Sequence, residues 1–329
     1  MAILIDPPAW PAHGTLWSHL VSDTSTDELH AFARLLGFPR RSFDLDHYDV
    51  SAANYDRAVA LGALPVSGRE VVHRLRDAGL RVRQVDRIAV TPLRRRQYLV
   101  EQWESLGTQI GTGGAVSARA WQALGGELIA RWNEPHRSYH DERHLEDVLL
   151  ALDHLETRGE RISPVTLLAA WFHDAVYLGA AGDDERASAA LAVAALTQLG
   201  LDASLVEGVR ASIIATLPGQ SAPSPGEAAP VQPDRALAHL LDADLWIFAA
   251  HPSRYAEYAA SVRSEYARVP DADFAVERAR ILESYLDRQT VYFTGAARHL
   301  WESRARANVS EEIARLRSQN RFGARTRAG

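Results

Sequence analysis

The sequence predicts a mainly α chain, an all-helical body preceded by a small α/β domain. Three observations predict it. From Ala118 onward, apolar residues recur at helical spacing with no alternating strand pattern between them. Before about residue 83, short apolar runs alternate with capped helical patterns. At 329 residues, the chain is also longer than one ordinary domain.

Taken in order, "AILID" (Ala2–Asp6) reads as a short strand closed by "DPPAWP". A helix is expected near "DTSTDELHAFARLLG", with Thr24 or Ser25 as N-cap and Gly37 as its stop. "SGREVVHRLRDAGL" (Ser67–Leu80) carries Ser67 with Glu70 three residues on, the pattern of a capping box, and Gly79 ends it. "LRVRQV" then reads as a strand. These elements make a small α/β domain over residues 1–83. Residues 84–114 are expected to be a linker, with "LGTQIGTGG" as its flexible part. The helical domain is placed at 115–318 and a disordered tail at 319–329.

Within that domain, helices are expected near Ala118–Trp132, Asp141–Thr157, Pro164–Val176, Asp184–Leu199, Ala203–Thr216, Arg235–Phe248, Pro252–Arg268, Asp271–Leu286 and Ala296–Arg317. "LPGQSAPSPGEAAPVQPD" (Leu217–Asp234) interrupts them as a long loop.

Composition excludes several chemistries. There is no Cys, so thiolate catalysis, Cys-ligated zinc and iron–sulfur clusters are out. There is no Lys either, so a lysine Schiff base and a P-loop lysine are impossible. The net charge of −6 argues against a large nucleic-acid surface, and the compact basic cluster "PLRRRQ" reads as a solvated helix start. No apolar run is long enough to span a membrane, and the first residues lack the basic region of a signal peptide. A cytoplasmic location is the expectation. Oligomeric state is left open, a homo-oligomer included.

The helical part holds three polar clusters among apolar residues. They are His136, His140 and His144 in "HRSYHDERHLEDV", the tandem His173-Asp174 in "AAWFHDAVY", and Asp242 with Asp244 in "LLDADLWIF". His140 and His144 are four apart and share a face if both are helical. Each cluster alone has a plain explanation: exposed histidines on a solvated face, a surface pair, or helix caps. Together, on successive helices, they suggest one buried polar centre. A divalent ion would satisfy it, because imidazole nitrogen and carboxylate oxygen are both ligands for such ions.

The order His … His-Asp … Asp resembles the HD superfamily of all-helical metal-dependent phosphohydrolases. "EPHRSYHDERHLEDVL", "AAWFHDAVY", "DDERASA", "LLDADLWI" and "YARVPDADFAVERARILESYL" resemble a bacterial branch of it, over about the last two-thirds of the chain. The resemblance implies metal ligation by His144 (followed by Val148, as in His-x-x-x-Val), His173, Asp174 and Asp244, with Asp242 the weaker alternative to Asp244. The ion would be manganese, iron, cobalt, nickel or zinc. Gly219 and Gln220 stand where the branch often has a further His, and Asp184-Glu185 where it tends to have Asn-Glu. The absent His argues against a two-metal centre.

The implied activity is hydrolysis of a small phosphoester or nucleotide by metal-activated water. Asp174 would orient or deprotonate that water, and His140 would carry protons. Arg143 beside His144, with Arg137, Arg186 and Glu185, are the candidates for gripping a phosphorylated substrate. The alternative is a non-catalytic metal- or nucleotide-binding regulatory protein.

In the first domain, "DPPAWPAHGTLWSHLVSDTS", "ELHAFARLLG", "DHYDV" and "GALPVSGRE" resemble a small bacterial domain of unknown function. Asp6, His13, His19, His30, Asp46, His47 and Asp49 are many polar groups for so small a domain. They read either as caps and turns or as a small-ligand or second catalytic site.

Overall fold

The computed structural model describes residues 2–111, 117–217 and 233–327, with side chains described to residue 318. The chain forms two compact units, Met1–Gln97 with Asp153–Glu160, and Tyr98–Leu152 with Arg161–Gly329. The small α/β region precedes an all-helical body, as the patterning predicts.

The first unit is built on five strands: β1 (Ile3–Ile5), β2 (Trp10–Ala12), β3 (Thr15–Ser22), β4 (Tyr48–Ser51) and β5 (Leu64–Pro65). The sheet order is β2-β3-β1-β5, with β4 also paired to β3; only the β1–β5 pair is parallel. Alternation along the strands splits the core. Ile3, Ile5 and Leu20 pack with Leu29 and Ala33 of α1 (Thr26–Leu35) and Ala58 of α2 (Ala52–Ala60). Leu4 and Val21 point the other way, onto Val71 and Leu75 of α3 (Gly68–Asp77).

The caps follow the sequence. Ser25 accepts the N–H of Glu28 at 3.2 Å, and Gly37 (φ +74°) takes the left-handed conformation past the end of α1. Ser67 accepts the N–H of Glu70 at 3.1 Å, but the Glu70 side chain bonds Arg74, so the capping box is half formed.

"LRVRQV" is not a strand. Asp46 Oδ2 accepts the Val82 N–H and an Arg81 Nη1 hydrogen, each at 2.8 Å, so a carboxylate takes the place of a neighbouring strand. A 3-10 turn follows at Gln84–Asp86.

The expected linker is largely helix, since α4 runs Arg87–Gln109. After Pro92 its residues are mostly good helix formers, and apolar positions along it are buried. The unit boundary falls within α4, after Gln97. Trp103 explains why the second half belongs to the helical unit. It stacks on Trp121 of α5 (Ala118–Trp132) at 4.0 Å between ring centroids, and each indole N–H donates to the other residue's backbone carbonyl, at 2.8 and 2.9 Å. Gly125 makes this possible: a Cβ there would lie 2.3 Å from the Trp103 ring. Residues 112–116, which hold the end of "LGTQIGTGG", lie outside the described residues.

Among the described residues the body has eight further helices: α6 (Glu142–Glu156), α7 (Pro164–Phe172), α8 (Asp183–Gln198), α9 (Ala203–Ile214), α10 (Arg235–Asp244), α11 (Pro252–Glu265), α12 (Asp271–Leu286) and α13 (Gly295–Arg327). Two ends matter for the site. α7 stops at Phe172, four residues before its expected end, and α10 stops at Asp244, where a 3-10 turn Leu245–Ala249 takes over. The tail expected from 319 continues as helix to Arg327, because no Pro and only Gly323 interrupts a run rich in helix formers. The loop "LPGQSAPSPGEAAPVQPD", with Gly219 and Gln220, lies outside the described residues over 218–232. Among the described residues no helix is long and apolar enough to cross a membrane.

Candidate metal centre

Helix ends build the site. Asp141 caps α6, its Oδ1 accepting the N–H groups of Arg143 (2.9 Å) and His144 (3.2 Å). His144 is thereby fixed in the first turn, its side chain buried. His173 closes the last turn of α7 by donating its N–H to Ala169 O at 2.8 Å. Its Nδ1 donates to Ala170 O at 2.9 Å, which turns Nε2 into the centre. Asp174 follows as the chain leaves the helix, and Asp244 is the last residue of α10.

The four side chains from three helices converge. His144 Nε2 lies 3.2 Å from Asp244 Oδ1, 3.3 Å from His173 Nε2 and 3.9 Å from Asp174 Oδ2. His173 Nε2 lies 3.4 Å from Asp174 Oδ2 and 3.6 Å from Asp244 Oδ1. A divalent ion with bonds of about 2.1 Å places neighbouring ligand atoms about 3.0 Å apart in octahedral and about 3.4 Å in tetrahedral geometry. The observed spacings, 3.2 to 3.9 Å, lie around the tetrahedral value and above the octahedral one, so the donor set suits such an ion in chemistry and, around the two imidazoles, nearly in separation. Beneath it, the fully buried Trp132 faces both imidazoles, its ring centre 6.0 Å from His144 and 5.4 Å from His173, and gives the centre an apolar floor.

The electrostatics agree. Burial opposes charge on His173, but Asp174 and Asp244 outweigh it and push the imidazole up to about 9. Burial alone would raise the Asp244 carboxyl; hydrogen bonds and charge from His144 and His173 overcome it and hold the group well below the usual carboxylate range.

His140 is not on α6. It precedes Asp141, so it does not share a helix face with His144. It reaches the centre from a loop, with Nε2 4.0 Å from Asp174 Oδ2. Its Nδ1 donates to Glu265 Oε2 at 2.7 Å, and its ring stacks on Tyr177 at 4.3 Å. Glu265, at the end of α11, is the important residue that sequence reasoning missed. Its Oε1 accepts the N–H groups of Ser138 (2.9 Å), Tyr139 (2.7 Å) and His140 (3.0 Å), and its Oε2 accepts the Tyr177 hydroxyl at 3.0 Å. Burial works against the Glu265 charge, but the bond from His140 and the backbone donors hold the carboxyl down at about 2. His140 is raised in turn, Glu265 and Asp174 overcoming its burial. The signal in "SVRSEYARV" was weak: one acid next to Tyr266 near a helix end reads equally well as solvated.

The arginines are engaged elsewhere. Arg137 is buried; it donates to the backbone carbonyls of His140 and Asp174 at 2.8 Å each, to Ala175 O at 3.2 Å, and to Glu134 at 3.2 Å. It holds the loop carrying His140 against the tandem. Arg143 points outward to Glu257 at 3.1 Å. Arg186 pairs with Asp183 at 3.1 Å, and Glu185 accepts the Gly182 N–H at 2.6 Å, capping α8. Asp184 ties down the turn after the tandem by accepting the N–H groups of Leu178 (2.9 Å) and Ala180 (2.8 Å). His136 donates to Tyr177 O at 2.6 Å. Asp242 accepts the N–H groups of Phe293 (2.7 Å) and Thr294 (2.8 Å), and burial pushes it up to about 6. It therefore braces the turn before α13, and Asp244 joins the centre.

Comparison with known families matches residues 3–78 to a family described as a protein of unknown function, DUF4031. No family match supports an HD-type domain in the helical unit. No curated protein and no solved structure matches the chain.

Proposed function

We propose that the helical unit is a metal-dependent phosphohydrolase acting on a small phosphoester or nucleotide. One observation carries the reading: His144, His173 and Asp174 bring donor atoms within 4.8 Å of one another, and Asp244 Oδ1 lies 3.2 and 3.6 Å from the two imidazole nitrogens. The sequence resemblance to the HD superfamily names the same four residues.

His144, His173, Asp174 and Asp244 would hold a divalent ion, which when bound supplies a Lewis acid for the phosphoryl oxygens and an acidified water. Asp174, partly exposed, keeps an oxygen toward both the donor cluster and His140. It can orient a water and take its proton. His140, fixed through Nδ1 by Glu265, can relay that proton or return one to the leaving oxygen. Trp132, buried against both imidazoles, keeps water from the rear of the centre.

The test is a panel of generic phosphomonoesters, phosphodiesters and nucleotides with manganese, iron, cobalt, nickel or zinc. Turnover should need an added ion and should disappear in His173→Ala and Asp244→Asn. A folded, metal-loaded protein inactive across the panel would refute the reading. A second reading then gains ground, a metal-binding regulatory protein, favoured by the engagement of Arg137, Arg143 and Arg186 in other contacts.

A further inference from the structure

The first unit carries a second convergence of imidazole and carboxylate groups. His19 on β3 and Asp49 on β4 are cross-strand partners, so their side chains leave the same face of the sheet. His47 lies two residues before Asp49, just ahead of the strand, and its ring meets that of His19 with centroids 5.0 Å apart. A ring nitrogen of His19, a ring nitrogen of His47 and an oxygen of Asp49 all lie within 4.8 Å of one another. His47 Nε2 is 3.5 Å from Asp49 Oδ1.

The way the two imidazoles are held matters more than their proximity. Each has its Nδ1 bound to a carboxylate that is 2 % exposed. Asp6 Oδ2 is 2.9 Å from His19 Nδ1, and Asp46 Oδ1 is 2.6 Å from His47 Nδ1. Both carboxylates are themselves anchored. Asp6 also accepts the His19 N–H at 2.5 Å and the Trp10 indole N–H at 3.5 Å. It fits beside the start of α3 because residue 68 is Gly; a Cβ there would crowd Asp6 Oδ2 at 3.2 Å. Asp46 also accepts Val82 N–H and Arg81. Two buried acids thus fix two rings with Nε2 as the remaining nitrogen, the arrangement that orients and strengthens imidazole ligands of metals. Asp49 is half exposed and the two rings are partly exposed, so the site opens to solvent. The exposed Trp10 ring stands beside it, 5.4 Å from His19.

Neighbouring polar residues do not join in. His30 bonds the Tyr48 hydroxyl at 2.8 Å, and His13 forms the β2–β3 turn with φ +50°. A hydrogen bond to Tyr48 and turn geometry account for those two, but not for buried acids behind a pair of converging imidazoles.

We propose that His19, His47 and Asp49 form a second metal site, one that takes a divalent transition ion such as zinc or iron and leaves coordination positions open to a small ligand beside Trp10. Two imidazoles and one carboxylate suit these ions; a site for calcium or magnesium would be built of oxygens. Asp6 and Asp46 are positioning residues for the two rings.

Cobalt(II) titration of the full chain, followed by visible absorption and calorimetry, tests this. In a His144→Ala/His173→Ala background, which removes the helical centre, one equivalent of cobalt should still bind. That equivalent should be lost in His47→Ala and weakened at least ~10-fold in Asp49→Asn, whose exposed side chain makes a folding defect avoidable. Asp6→Asn should weaken it about 10- to 100-fold with the ligands intact. If the background variant, folded by circular dichroism, binds no cobalt, or if His47→Ala and Asp49→Asn leave binding unchanged, the proposal is overturned and the two Asp–His pairs are structural. The outcome does not depend on whether the helical centre binds an ion.

Discussion

Glu265→Gln should destabilise the helical unit by several kcal/mol, and the loss should shrink as pH falls below about 4.5. Glu265 is a buried acid that receives three backbone N–H groups, the Tyr177 hydroxyl and the His140 imidazole. The amide keeps one acceptor oxygen for the backbone donors. It turns an NH2 group toward either His140 or Tyr177 and removes the charge that helps raise the proton affinity of His140. A hydrogen bond to a charged group contributes about 1.5–3 kcal/mol, and breaking a buried pair on one side costs about 3–5 kcal/mol. The carboxyl gives an independent figure. It titrates at about 2 in the folded chain against 4.5 for an ordinary Glu. At 1.36 kcal/mol per unit, that difference is worth about 3 kcal/mol. Because the folded value is depressed, this stability is fully present above about pH 4.5 and is lost as pH falls toward 2. The assay is urea unfolding of wild type and variant between about pH 5.5 and about pH 3.5, where roughly 1 kcal/mol of the gap should have closed. A gap below about 1 kcal/mol at about pH 5.5, or one that does not narrow on acidification, would refute the reasoning. His140 should also lose its raised affinity for protons, readable by NMR titration of its ring.

Asp244→Asn should abolish metal retention, measured by elemental analysis, whereas Asp242→Asn should leave it unchanged, because only Asp244 faces the two imidazoles. Metal affinity at the helical centre should rise with pH toward 9, since the ion displaces a proton from His173; calorimetry at several pH values measures it. Gly125→Ala should lower the melting temperature by an amount equivalent to about 1–3 kcal/mol despite the better helix propensity of Ala, because a Cβ cannot fit against Trp103. A fragment starting at Tyr98 should be more stable than one starting at Gly114 by about 3–5 kcal/mol in denaturant unfolding, since the shorter one removes Trp103 from its stack on Trp121.

What the sequence alone determined is what local chemistry and periodicity specify. Helical spacing and caps placed α5 and α12 to the residue, and Ser25, Ser67, Gly37 and Gly79 marked helix ends correctly. The polar clusters amid apolar runs, His136, His140 and His144, then His173-Asp174, then Asp242 and Asp244, were visible as a candidate centre, because burying them needs a partner in common, while the choice of His144 and Asp244 came from the resemblance to the HD superfamily. Tertiary structure decided the rest. Asp242 and Asp244 are alike in sequence, and only the packing of the turn before α13 assigns one to backbone N–H groups and the other to the imidazoles. His140 looked like a helix-face neighbour of His144, yet Asp141 caps the helix after it and Glu265, 125 residues away, holds its ring. Val82 looked like part of a strand, but its N–H found the Asp46 carboxylate. In each case a hydrogen-bonding partner distant in the chain decided between local alternatives, and no local pattern encodes which distant group arrives.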